Sequence, residues 1–540
     1  MDAYEYSPFG PAKSLYKTLG MYYFIGSLPA EYRSNVDNIF LAFLIQEANL
    51  KQTEDEHLNG TNKLEEAFSR LYKDLEDLSS NGVLIDGVTY PVCFLYCCGD
   101  NLGAHQVGGY SQSFSAEYCC RYCPISMTEF KADPCKCIPL RTPQQYEQSV
   151  LLAKQLWIEM KGKAIKLQER KRELEAQKIA AGEVIKKKVS NTMVSKNFLK
   201  KLQAVNHEGV KPFPSALNKI AGFHVSDNGL PPCLGHDLFE GCVDLVLAKI
   251  LENFVETKEW FTQTTLNRRI VGFKYKGKDA DDSPNALTSF DGIKGHAVET
   301  WTLLRLLPLI LGNLIKDNED EFWLLYLRLK EICEFICAPK ITTKQVAYLQ
   351  TLIESYLLEV KRLLPNCLTP KSHFLAHYPA LIKIYGCLIR LWTLRFESKH
   401  VLFKTIGKMC RSFKNICLTL AQKYQYRFVL DHMNGLLPRN IVYQSRPVDI
   451  SLDNLSVDIR QCLPSEVPQM KTAFDIVIKG TYYKNTLWMM LDKVEIIDLL
   501  VGQIDKILIF PDESIKFVLR TYVAEKSPNG FYIIGNPTGV

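Results

Sequence analysis

The hydrophobic rhythm of the chain changes several times along its length. Residues 12–28 (AKSLYKTLGMYYFIGSL) carry strand-favouring aromatic and β-branched residues on both sides of Thr18-Leu19-Gly20, which predicts a hairpin turning there. Over 62–78 the period becomes helical: Leu64, Phe68, Leu71, Leu75 and Leu78 recur at three and four residues, and Asn62 can cap with Glu65 at the third position. Residues 88–98 (VTYPVCFLYCC) form a nearly continuous apolar run ending in Gly99-Asp100, which predicts a buried strand presenting an acid at its C-terminal end. Over 151–202 a polar helical stretch, interrupted by Gly162 and Gly182, holds 14 Lys and Arg against 5 Asp and Glu. It predicts either a solvated helical spacer or a contact to a nucleic-acid backbone. From Leu234 to about Arg427, apolar faces at helical spacing (236–254, 301–314, 321–337, 346–364) predict a large helical body. After Pro438, short alternating runs separated by turn residues (474–479, 486–491, 506–510, 515–523, 531–534) predict a small all-β domain.

Composition narrows the class. With 540 residues, 47% hydrophobic and 23% charged, the chain is globular and has room for about three or four domains at roughly 100 to 200 residues each. Disordered, collagen-like and low-complexity classes are excluded. A net charge of +6 over this length points to no partner by itself; only local charge does. The first residues do not read as a secretory signal. The longest apolar run, 301–315, is broken by Arg305 and Pro308 and falls short of the roughly 18 to 20 residues a membrane span needs. The expectation is a soluble intracellular protein with no membrane partner. Seventeen cysteines, an odd number, argue against a disulfide framework, and eight of them between Cys93 and Cys137 argue for metal binding in that stretch.

Several residues carry candidate chemistry. Cys120-Arg-Tyr-Cys123 has the spacing that lets two thiolates reach one tetrahedral zinc, but supplies half a site. His373-Phe-Leu-Ala-His377 places two imidazoles at i and i+4, one face of a helix, and the two pairs together complete a Cys2His2 set. A metalloprotease reading of the histidine pair fails, because Phe374 stands where the general base is needed. Glu397 is the single acid among ten Lys and Arg over 380–427. It reads as a salt-bridge partner of Arg395, Lys399 or Lys404, or as a metal-binding carboxylate among cations that hold phosphates. Asp100 reads as a strand-end metal ligand or as a turn and cap residue. In His236-Asp-Leu-Phe-Glu240-Gly241, Asp237 can act as N-cap with Glu240 at the box position. P-loop, GxGxxG and GxSxG signatures are absent from the sequence.

Taken in order, these motifs resemble those of CACTA-like (En/Spm-type) DDE transposases. Asp2-Ala-Tyr-Glu-Tyr-Ser-Pro-Phe-Gly10 resembles the D-x-x-x-x-N-P-x-G box around the first catalytic aspartate, with Ser7 where Asn is usual. Gly99-Asp100-Asn-Leu-Gly103, with Gly108-Gly109-Tyr110 and Cys120-Arg-Tyr-Cys123, resembles the second aspartate and the cysteine pair. Pro232-Cys-Leu-Gly-His236-Asp-Leu-Phe-Glu-Gly241 looks like the His-Asp-x-x-Glu-Gly box. Pro370-Lys-Ser-His373-Phe-Leu-Ala-His377-Tyr-Pro379 and Leu394-Arg-Phe-Glu397-Ser-Lys-His400 look like the paired histidines and the last catalytic acid. The same order is similar to the core of the V(D)J recombinase and its Transib relatives.

The resemblance covers roughly residues 1–430 and implies an α/β fold: an RNase H-like core interrupted by a large all-helical insertion and followed by the small all-β C-terminal domain. It divides the chain into 1–145 (first part of the core with the Cys pair), 146–205 (basic helical spacer), 206–380 (helical insertion), 381–435 (core helix with the Glu) and 436–540 (β domain). It implies a triad of Asp2, Asp100 and Glu397 holding Mg2+ or Mn2+ for phosphoryl transfer on DNA, and a structural Zn2+ on Cys120, Cys123, His373 and His377. Arg395, Lys399, Lys404, Lys408, Arg411 and Lys414 would then meet the DNA phosphates, the partner being transposon ends, in a nuclear protein that can form a homodimer. In an RNase H-like core the first aspartate lies within the first strand, whereas here it is residue 2. The resemblance therefore leaves two readings, an active transposase and a catalytically inactive, zinc-stabilised DNA-binding or scaffold protein derived from one.

Overall fold

Strands β1 (Asp2–Glu5) and β2 (Lys17–Tyr23) pair antiparallel with Asp2 opposite Gly20, and β3 (Phe40–Gln46) completes a sheet in the order β1-β2-β3. The expected turn at Thr18-Leu19-Gly20 is corrected here: β2 runs straight through it. Thr18, Leu19, Gly20 and Met21 are all buried, so the apolar residues flanking Gly20 serve one interior strand and not two arms of a ribbon. The structure is a computed structural model describing residues 2–5, 17–33, 35–50, 53–60, 63–136, 139–181, 194–410, 414–433, 441–461, 463, 470–478, 481–494, 498–527 and 531–539.

Helix α1 (Lys63–Asn81) confirms the expected periodicity, burying Leu64 and Phe68, with Phe68 edge-on to Phe43 of β3 at 5.3 Å. The expected buried strand over 88–98 is a second correction. Val83–Ile85 (β4) and Val88–Tyr90 (β5) instead form a small exposed hairpin, turned by Asp86 and Gly87 at φ 48° and 80°, the signature of an Asp-Gly two-residue turn. From Pro91 to Gly99 there is no ladder: Pro91 lacks a donor, burial alternates along the segment, and Cys97 N–H bonds the Gly229 carbonyl at 2.8 Å.

The rest of the body is helical. Helices α2 (Asn101–Val107) and α3 (Met127–Ala132) flank the Cys pair, and α4 (Pro143–Ala180) follows, begun by a Thr142/Gln145 capping box with Pro143 at its first position. At 1.5 Å per residue α4 is roughly 57 Å long, and it passes through Gly162 unbroken. It buries Tyr146, Val150, Ala153 and Trp157 at helical spacing and leaves Leu167, Leu174 and Ile179 exposed further along. The remaining long helices are α5 (Val243–Glu252), α6 (Ala297–Leu311), α7 (Glu321–Ile336), α8 (Thr343–Leu363), α9 (Pro370–Tyr385), α10 (Leu394–Met409) and α11 (Ile416–Met433). The C-terminal strands are β6 (Ile441–Tyr443), β7 (Val448–Ile450), β8 (Met470–Ala473), β9 (Asp475–Ile478), β10 (Thr481–Lys484), β11 (Trp488–Val494), β12 (Asp498–Ile509), β13 (Ile515–Lys526) and β14 (Tyr532–Gly539).

The chain forms two compact units, 1–23 with 41–304 and 328–424, and 24–40 with 305–327 and 425–540. In the first, Phe403 of α10 and Ile416, Leu420 and Tyr424 of α11 pack with Tyr22 of β2 and Leu41 and Leu44 of β3. Phe43 of the same strand joins the core on α1. The sheet thus packs against α1 through Phe43 and against α10 and α11 through Tyr22, Leu41 and Leu44. In the second unit the antiparallel sheet runs β14-β13-β12-β8-β7, with β11 on β12, beside a smaller sheet β10-β9-β6. The mixed α/β class, the large helical region and the all-strand sheets near the C-terminus follow the sequence expectation. Among the described residues no helix is long and apolar enough to cross a membrane.

One buried titratable group in the first unit makes stability pH-dependent. His105 is enclosed by Tyr110, Phe114 and Phe374, its Nδ1 donates to the Ser111 carbonyl at 2.7 Å, and its Nε2 has no partner. Burial, and then the Arg121 cation, push its imidazole down to about 3. The folded value lies below the unfolded one, so this contribution is complete above pH 6.5 and is lost as pH falls toward 3. His105→Gln should lower the proton uptake on unfolding by about one between those limits, read as a flatter pH dependence of the urea midpoint. An unchanged slope would contradict the assignment.

Candidate metal centre

Cys120 and Cys123 lie in the loop between α2 and α3, and the local backbone is shaped around their sulfurs. The Tyr122 amide donates to Cys120 Sγ at 3.3 Å, and the Ile125 amide lies on Cys123 Sγ, the same two-residue offset at both positions. Amides aimed at sulfur favour the thiolate, the form that binds metal. The histidines come from α9, whose start is set by Pro370 and a Thr369/Ser372 capping box, so His373 and His377 project one turn apart. All four side chains are buried.

Their geometry suits a tetrahedral ion. Cys123 Sγ lies 3.2 Å from His373 Nε2, Cys120 Sγ 3.5 Å from His377 Nε2, and the two Nε2 atoms 3.1 Å apart. All four donor atoms fall within 4.8 Å of one another. Bonds of about 2.3 Å to sulfur and 2.0 Å to nitrogen place tetrahedral donor atoms roughly 3.3 to 3.8 Å apart. The donor set therefore fits a zinc-like ion, and among the described residues it is the one group of three or more His, Cys, Asp or Glu found with that property. Burial pushes both thiols up. At Cys120 the hydrogen bond from Cys123 and the neighbouring His373 and His377 outweigh it and hold the group well below its usual range. The Phe130 ring packs edge-on to His373 at 4.7 Å and fixes its plane, while His373 Nδ1 is buried without a partner.

A polar network adjoins the centre and passes through residues that sequence reasoning missed. Arg121, between the two cysteines, donates to Asn101 Oδ1 at 2.9 Å, to the Tyr122 hydroxyl at 2.5 Å and to the Pro231 carbonyl at 3.3 Å. Asn101 Nδ2 donates to Asp237 Oδ1 at 2.5 Å, and the Tyr378 hydroxyl to Asp237 Oδ2 at 3.0 Å. Asp237 is fully buried, and burial raises its carboxyl against the opposing pull of Arg121. The expected N-cap role of Asp237 is thereby corrected: the helical segment Gly235–Cys242 has Leu234 as N-cap with no side-chain bond, and Asp237 faces inward. The legible signal was adjacency, since Asn101, Arg121 and Tyr378 each neighbour an expected site residue.

The expected acids fall as follows. Asp100 is the N-cap of α2, its Oδ1 accepting the Gly103 amide at 2.5 Å, in place of the expected strand end. Glu397 sits half-buried in the first turn of α10, within electrostatic reach of His236. A hydrogen bond with Cys233 at 3.1 Å, then the charges of Glu240 and Glu397, raise the His236 imidazole to about 10 against the opposing effect of burial. Asp2 belongs to β1, whose Cα trace comes within 8 Å of α10; its side chain, and the Ser7 to Gly10 part of its box, lie outside the described residues. Arg395, Lys404, Lys408 and Lys414 are exposed. Lys399 is corrected as a phosphate contact: it is 6% exposed, with its ammonium 5.2 Å from the Tyr424 ring centroid. Arg411 lies outside the described residues.

No protein-family model matches the chain, and no curated protein matches it.

The purified protein should retain about one zinc per chain through dialysis, and Cys123→Ser should lose it. Chelation should lower the melting temperature, because an ion held only by the folded state stabilises it by about 4 kcal/mol at a thousandfold excess over Kd. Equal metal content and equal melting in wild type and variant would contradict the centre.

Proposed function

We propose that the chain is a CACTA-like DDE transposase, or a protein derived from one, with an RNase H-like core that cuts and joins DNA at transposon ends. The observation that carries the reading is the position of His236-Asp237. Asp237 bonds Asn101, the residue after Asp100, while His236 feels the charge of Glu397. One dipeptide is thus bonded to the neighbour of Asp100 and lies within electrostatic reach of Glu397, although 297 positions separate the two acids. The β1-β2-β3 sheet, packed against α1 and the Glu397-bearing α10, supports the core assignment.

In such chemistry a pair of hard divalent cations, Mg2+ or Mn2+, activates the attacking oxygen and neutralises the leaving one. The chain contributes carboxylates for them from Asp2, Asp100 and Glu397, oxygen ligands suited to a hard ion. Arg395, Lys404, Lys408 and Lys414 would receive the DNA phosphates, and Glu397, Lys404 and Lys408 share one face of α10 at i, i+7 and i+11. Action on DNA ends implies work in the nucleus, and a two-ended substrate suits a homodimer. A specific observation favours the non-catalytic alternative: one oxygen of Asp100 is engaged as a helix cap, a duty that needs no substrate.

Nicking of a duplex carrying the element's terminal repeats, with Mg2+ or Mn2+, separates the two readings. The transposase reading predicts cleavage that falls to background in Glu397→Gln. Absence of cleavage, or equal cleavage by that variant, would leave the scaffold reading. DNA affinity should fall with salt, and Lys404→Ala should reduce the log–log slope by about 0.9, one phosphate contact.

A further inference from the structure

We propose that Asp237 is a positioning residue that couples the Cys2His2 centre to the N-terminus of α2, where Asp100 sits. The coupling follows from who holds whom. Arg121 and Tyr378 are each bonded in sequence to a metal-donor residue, Cys120 and His377. Tyr378 reaches Asp237 directly, and Arg121 reaches it through the Asn101 amide. Asn101, Arg121, Asp237 and Tyr378 are all buried, so water cannot substitute when one partner moves. Arg121 also lies over the rings of Tyr122, 4.4 Å from its centroid, and Phe374, 5.3 Å away, and those rings belong to the residues beside Cys123 and His373. The helix that supplies the two histidines therefore also supplies Tyr378, one of the two side chains bonded to the Asp237 carboxylate, and the loop that supplies the two cysteines supplies Arg121, which bonds the other, Asn101. Asn101 is the first residue of α2, and its backbone follows the capping carboxylate of Asp100.

Loss of the metal removes the restraint on the 120–123 loop and on one turn of α9, displaces Tyr378 from Asp237 and Arg121 from Asn101, and frees the start of α2. Asp237 has this role whatever reaction Asp100 serves; its bearing on catalysis rests on the transposase reading above.

Amide hydrogen exchange tests this without recourse to DNA cleavage. The reporters are the α2 amides of Ala104 and Gly108, which bond to the Asp100 and Ala104 carbonyls. Chelating the metal from the wild-type chain should speed their exchange roughly 5- to 150-fold, the range of an ordinary coupling between sites. Asp237→Asn, which keeps shape and removes the charge, and Asn101→Ala, which cuts the relay at its other end, should show most of that acceleration with the metal still bound. Chelation should then add little. Cobalt in place of zinc should give the same tetrahedral absorption bands in these variants as in wild type, showing the centre itself intact. The proposal is overturned if both variants keep wild-type protection in α2, or if the effects of variant and chelation add, as independent structural losses would. Failure of Glu397→Gln to alter cleavage would remove the transposase reading and leave this result standing.

Discussion

Cys123 and His373 stand 250 positions apart, yet their donor atoms lie 3.2 Å from each other. Closing so long a segment costs about 5 kcal/mol of chain entropy, before four buried polar groups give up water. Hydrogen bonds among two thiols and two imidazoles, at about 1 kcal/mol net each, do not offset that. A structural zinc does, at roughly 10 to 16 kcal/mol in small zinc domains. A metal held by this donor set would make the chain between the two pairs a loop locked at both ends.

What surrounds the lock is polar to a degree that a helical interior seldom allows. Arg121, Arg141 and Asp237 are all buried. Isolated, such charges would be untenable, and removing one member of a buried charged set typically costs about 3 to 5 kcal/mol. Arg141 bonds the carbonyls of Cys123 and Glu208, at 3.2 and 2.9 Å. It thereby ties the cysteine loop to the chain beyond α4, much as Arg121 ties it to α2 and Pro231. A metal held by the four donors would fix the loop, and the fixed loop would give the buried cations acceptors at set positions.

Elements whose pattern is local were legible in the sequence. The α1 periodicity, the helices at 321–337 and 346–364, and five of the C-terminal strands (β9 and β11 to β14) show their apolar spacing in a single element. The i, i+4 histidines were legible for the same reason, and the Cys pair by its turn spacing. The misreadings arose where burial is set by distant chain. Gly20 looked like a turn because its neighbours were apolar on both sides; in the sheet both sides are interior. The apolar run over 88–98 looked like a core strand, but Asp86-Gly87 spends its start on a hairpin and Pro91 denies it a ladder. Asp237 fitted a local capping box, and its partners Asn101 and Tyr378 are 136 and 141 residues away. Lys399 counted as one cation in a basic stretch until packing placed it over Tyr424.

The proposed function depends on the same closure, since it brings α9, which precedes the Glu397-bearing α10, back to the cysteine loop that follows Asp100. X-ray absorption at the zinc edge of the purified protein tests that closure most directly. The account predicts one zinc per chain with two sulfurs at about 2.3 Å and two imidazole nitrogens at about 2.0 Å. A shell of nitrogen and oxygen alone, or a protein that folds without zinc, would contradict it.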